Sequence, residues 1–172
     1  LAVLVPRTAA ALCTPAGGSN VVAVCTGVSG GYGGAGFSNL NVTVETGATV
    51  AGTPAITFNT GSLANRGLVD GGGGSAVAIN AGTVANDGTI QGSIGIDAAQ
   101  ATVTNRGTIA VTGIVIANGG GRLTLDNSGS ASGFFGIFTD TADIRNSGLI
   151  AATGATGIVA STSLAIANSV TG

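Results

Sequence analysis

The segments Leu63-Ala64-Asn65-Arg66-Gly67-Leu68-Val69 and Val84-Ala85-Asn86-Asp87-Gly88-Thr89-Ile90 are two copies of one phrase. An apolar residue, a spacer, Asn, any residue and Gly lead to a pair that ends in a β-branched or other apolar residue. The phrase returns as VTNRGTI at Val103 to Ile109, LDNSGSA at Leu125 to Ala131 and IRNSGLI at Ile144 to Ile150. IANSV from Ile166 starts a further copy, and VETGATV at Val44 to Val50 reads as an eroded one. The asparagines at 65, 86, 105, 127, 146 and 168 are spaced by 21, 19, 22, 19 and 22 residues. Self-similarity at such a period marks a repeat architecture, and the Gly content opposes a two-helix unit.

Between copies lie second apolar runs: SAVAI (75–79), SIGI (93–96), GIVI (113–116), GIFT (136–139) and GIVA (157–160). Polar residues follow them, read as one series of corners: Asn80, Asp97, Asn118, Asp140 and Ser161. Two or three short strands per period, joined by Gly and Asn corners, make one coil of an all-β, right-handed parallel β-helix (β-solenoid) of about 20 residues per coil. Coils stack at about 4.8 Å, the strand spacing of a sheet. Leu63, Val84, Val103, Leu125, Ile144 and Ile166 are expected to form one inward ladder. Val69, Ile90, Ile109 and Ile150 form another, thinned at Ala131.

The repeated asparagines have two physical uses. Asn tolerates left-handed backbone and bonds its own chain at turns. Stacked in register, Asn65, Asn86, Asn105, Asn127, Asn146 and Asn168 can also bond one another. The Gly two residues later supplies positive φ or close backbone approach. Between them runs an outward column of Arg66, Asp87, Arg106, Ser128, Ser147 and Ser169, whose first three members alternate in sign and read as inter-coil ion pairs.

Composition fits this reading. Of 172 residues, 44% are apolar, 7% charged and 3% aromatic, with 32 Gly and no Lys, His, Met or Trp. Disorder pairs low hydrophobicity with high net charge, unlike this chain at a formal −2. Five Arg without Lys make no nucleic-acid patch, and no apolar run is long enough to insert into a membrane. Cys13 and Cys25 suit a disulfide in an oxidising compartment, the alternative being two buried thiols. Residues 1–40 read as an N-terminal apolar segment and cap, with Tyr32 and Phe37 as plugs, and 41–172 as coils. LAVLVPRTAAA (1–11) reads either as a signal-peptide tail or as a strand covering a solenoid end or a neighbour. The chain reaches Gly172 within a coil, which reads as a fragment or as an end that meets another subunit.

NRGLV, NDGTI, NRGTI and NSGLI, with intervening GI-type strands, resemble the passenger domains of bacterial autotransporters. The early C-x11-C segment is similar to the starts of such passengers. The resemblance implies an exposed rod at a bacterial surface. The family includes adhesins, proteases, esterases and biofilm proteins, many acting through grafted domains. No such domain or translocating barrel is read here, so that role requires a longer parent chain or a barrel removed by processing.

Chemistry-bearing motifs are sparse, and no catalytic, cofactor or metal residue is assigned. Gly31 to Gly36 fits G-x-G-x-x-G, but strand-like FSNLNVTVE follows where phosphate binding needs a helix. Without His or Lys no triad has its base, and no metal set is present. Asn41-Val42-Thr43 is an isolated sequon. Thr89 and Thr108 begin a column for an ice-binding face, but Leu68, Ser130 and Leu149 interrupt it. Asp97 and Asp140, read as two coils apart at one corner, suggest a polysaccharide lyase or hydrolase. Two interchangeable turn residues are the plainer reading. The expectation is therefore a non-enzymatic, structural or adhesive solenoid, extracellular or on a bacterial surface, whose partner is a host or cell-surface receptor or a glycan. The alternative is a head-to-tail filament of copies of itself, with Leu1, Val3, Leu4, Val5, Leu164 and Ile166 as candidate interface.

Overall fold

The computed structural model describes residues 12–154 and 156–169. Among these, sixteen strands and no helix build a β-solenoid of about seven turns, with coils about 21 residues apart. Each full coil lays down three faces. The first carries the asparagines (41–44, 61–65, 81–86, 100–105, 122–127, 141–146, 163–168). The second is short (49–51, 68–70, 89–91, 108–110, 130–133, 149–152). The third closes the coil (56–58, 75–79, 94–98, 114–118, 135–139, 158–160).

Alternation of inward apolar and outward polar residues drives this, since successive strand side chains face opposite ways. The first ladder runs Val42, Leu63, Val84, Val103, Leu125, Ile144 and Ile166 in strict register. The second runs Val50, Val69, Ile90, Ile109, Ala131 and Ile150. A third comes from the runs between the repeats: Tyr32, Ile56, Val77, Ile96, Ile116, Ile137 and Ile158. Nearly all these side chains are buried, and they form one continuous core. Each buried aliphatic side chain contributes about 1.5–3 kcal/mol by leaving water.

At the N-terminal end the parallel register begins at Val22, inside the stretch read as a cap. Val22–Cys25 pairs with 41–44, and Val28–Ser29 with 49–50. Cys13–Thr14 lies antiparallel on the outer edge of Val22–Cys25, with Cys13 opposite Cys25 and bonded to it as a disulfide. The disulfide expectation therefore holds, and it pins a strand over what would be an unpaired edge. Tyr32 is buried and donates its hydroxyl to the Pro15 carbonyl at 2.7 Å. Burial raises its pKa above the ordinary value. Phe37 is partly buried against the core, its ring lying over Gly17 and Gly34.

The eroded copy sits differently from its sequence reading. Val44, not Thr46, stands beneath Asn65, because Thr46 and Gly47 form an insertion before Ala48. The repeat glycines also resolve to one of their two uses. None of Gly67, Gly88, Gly107, Gly129 and Gly148 has positive φ. Each lies against the coil below instead. A Cβ on Gly107 would sit 2.1 Å from the Gly88 carbonyl oxygen.

Gly107→Ala is expected to lower stability by about 1–3 kcal/mol through overpacking, read as a Tm lower by several degrees. Gly36→Ala, where a Cβ meets nothing within 4 Å, is the control and should leave Tm nearly unchanged. Equal Tm values for the two variants would refute the close-approach assignment.

Candidate functional site

The most continuous polar feature is the asparagine column. Asn65 Nδ2 donates to Asn86 Oδ1 at 2.8 Å, Asn86 to Asn105 at 2.8 Å and Asn105 to Asn127 at 2.7 Å. Asn127 then donates to Asn146 at 2.7 Å and Asn146 to Asn168 at 3.0 Å. The second Nδ2 hydrogen goes to a main-chain carbonyl one coil on: Thr89, Thr108, Ser130 and Leu149 for the first four. At the lower end Asn65 Oδ1 accepts from the Gly67 N–H at 3.1 Å. Asn65, Asn86, Asn105 and Asn127 are fully buried, so each carboxamide left water and had to find partners inside. Below Asn65 the column continues as Val44 and Cys25.

The left-handed conformation offered as a second use of these asparagines does not occur. The positive-φ asparagines are Asn20 and Asn39, stacked at a different corner with Asn39 Nδ2 donating to Asn20 Oδ1 at 3.1 Å. A second polar column was missed. Asn59 Nδ2 donates to Ser38 Oγ and Asn80 Nδ2 to Asn59 Oδ1, both at 3.1 Å. Its donors point toward the N-terminal end, opposite to the main column. The 21-residue spacing of Asn59 and Asn80 and the Asn-x-Gly frame at both, Asn59-Thr60-Gly61 and Asn80-Ala81-Gly82, are visible in the sequence, but at this corner they occur in two coils only.

The proposed single corner series separates into different columns. Asp97 lies outward, stacked between Ala78 and Ala117. Asn118 lies inward on Ala98, which stacks on Ile79. Asp140 sits one residue past Thr139 and accepts from Ser161 Oγ at 2.6 Å. Asp97 and Asp140 therefore do not share a corner, and the paired-carboxylate geometry is lost. Asp97, Asn118 and Asp140 follow the aligned Ile96, Ile116 and Ile137 by one, two and three residues, and that stagger is the offset. Asn118 is buried and its Nδ2 has no partner, while its Oδ1 accepts from the Gly121 N–H at 3.3 Å.

The charged column pairs as Glu45 with Arg66 at 3.6 Å and Asp87 with Arg106 at 3.4 Å. Glu45 thus takes the partnership with Arg66 that was expected of Asp87. These pairs are over 40% exposed and contribute about 0–1 kcal/mol each. Gly31 to Gly36 contains the strand Tyr32–Gly34, paired to 56–58, so the glycine pattern opens no helix. Leu68, Thr89, Thr108, Ser130 and Leu149 do form one column, interrupted as the sequence implies. Among the described residues no three His, Cys, Asp or Glu cluster as metal ligands.

Several open concavities lie along the rod, one of about 580 Å³ beside Tyr32 and Phe37. A shallow lateral groove of about 380 Å³ runs past Thr57, Asn80, Asp97 and Gly119. Another, of about 340 Å³, opens at the last coil among Ile144, Ile150, Ile158, Ile166 and Asn168. Leu164 and Ile166 are 44% and 49% exposed there. Leu1, Val3, Leu4 and Val5 lie outside the described residues. No family model, curated protein or solved structure matches the chain.

Asn105→Ala removes the acceptor of Asn86 and the donor to Asn127, an expected loss of about 2–5 kcal/mol. Asn105→Asp keeps the acceptor and loses the donor. Burial would raise the folded-state pKa of that carboxyl above its unfolded value of about 3.9. Its protonated form then suits the fold better, so this variant should lose stability as pH rises from about 4 toward neutrality. Thermal melts at both pH values check it, and a pH-independent gap to the parent chain would count against a buried column.

Proposed function

We propose that this chain is a structural and adhesive β-solenoid of the bacterial exterior, similar to autotransporter passengers, with no catalytic step, cofactor or metal of its own. The observation that carries this reading is the unbroken asparagine column flanked by three apolar ladders. Resistance to unfolding along one axis is what such a column supplies, and a displayed stalk requires it. The disulfide supports an oxidising location. Low charge and few enclosed polar groups favour recognition on open faces over chemistry in a pocket.

Antibodies raised against the folded chain should label intact cells of the source bacterium, and external protease should remove the label. Labelling seen only after lysis would overturn the exterior assignment.

A head-to-tail filament is the second reading, favoured by the exposed Leu164 and Ile166. Direct stacking of a last coil on the next molecule's first coil is opposed on the asparagine face, where Cys13–Thr14 already occupies the edge. That leaves residues 1–12 as the connecting segment. Electron microscopy of the chain with and without residues 1–12 separates the readings. Fibres that vanish on deletion support the filament, and dispersed rods at every concentration support the stalk.

A further inference from the structure

Aromatic residues are rare here, yet three of the five phenylalanines fall between residues 134 and 138. Phe134 and Phe135 meet edge to face with centroids 4.7 Å apart, and Phe135 and Phe138 do so at 5.8 Å. Phe134 is 50% exposed, and the other two are half-buried. The Phe134 ring is seated, since a Cβ on Gly154 would come within 2.8 Å of it. Phe138 stacks on Ala117 and beside Val159, extending the apolar strip over three coils. Two residues beyond Phe138, where the strand pairing shifts register, Asp140 and Ser161 form a bonded polar pair.

We propose that this strip is a binding site for neutral hexopyranosyl oligosaccharides, a deeper form of the adhesive reading and resting on it. Size decides against a globular partner or a second copy. One half-exposed ring and two more deeply buried ones offer at most about 250 Å², against about 800 Å² per side for a stable protein interface. The site is an open face, so a compact apolar ligand would stay largely wet. A pyranose ring suits it, with C–H groups on one face to lie on the electron-rich ring faces and hydroxyls at its rim. The Asp140 carboxylate can accept further hydrogen bonds from sugar hydroxyls, and Ser161, whose own proton goes to Asp140, can accept one. The Asp140 carboxylate disfavours uronic acids.

The test is saturation-transfer NMR and calorimetry of the intact chain with gluco-, manno- and galacto-configured hexasaccharides to millimolar concentration. At least one should bind. Phe134→Ala and Phe138→Ala should each weaken it by about 2- to 10-fold, and the double variant should abolish it. Phe134→Leu keeps apolar bulk but removes the ring, and should also weaken binding even if the double variant fails to fold. Leu149→Ala, exposed on another face, should change nothing. No binding by the parent chain, binding of hexuronates alone, or loss with Leu149→Ala but not with the Phe variants would each overturn the site. Cell-surface labelling is independent of these outcomes, so the exterior role and the sugar site can fail separately.

Discussion

The hydrogen bond from one asparagine carboxamide to the next is the contact around which this solenoid is arranged. A buried amide has two donors and an acceptor to satisfy, and the apolar interior offers none. The coil above supplies both an Asn oxygen and a main-chain carbonyl, and the coil below supplies a donor. Each asparagine is satisfied only when its neighbours stand in register. A slip of one residue would turn every side chain to the opposite face and leave several amides unpaired in the core. Apolar ladders supply most of the driving force, but Val, Ile and Leu are nearly interchangeable, and the asparagines make the register discrete.

The repeat glycines follow from that constraint. The carbonyls of Asn65, Asn86, Asn105 and Asn127 each accept from two consecutive N–H groups of the next coil, the second belonging to the glycine. The chain must therefore press onto the turn below, and no side chain fits there. The motif is a single device. Asn satisfies the interior, the residue after it faces solvent, and Gly lets the backbones meet.

How much was legible in the sequence divides along the same line. The six asparagines and two of the ladders could be read because their spacing is nearly constant and their frame repeats. The third face was read only roughly. Its runs end in residues that shift by one or two positions, so Asp97, Asn118 and Asp140 looked equivalent and are not. Val44 was placed two residues out of step because the Thr46–Gly47 insertion is invisible without pairing partners. The phenylalanine strip gave no repeat signal at all, as it occurs in a single coil. Periodicity reports what every coil shares, whereas recognition depends on what one coil has alone.

The main asparagine column has a direction. All five amide-to-amide bonds point from the N-terminal toward the C-terminal end. Strand dipoles largely cancel within a sheet, whereas aligned amide dipoles, about 3.5 D each, add. The shorter Asn59–Asn80 column runs the other way and offsets only part of this. The column thus gives the rod a small dipole along its axis, of a sense set by the order of the coils.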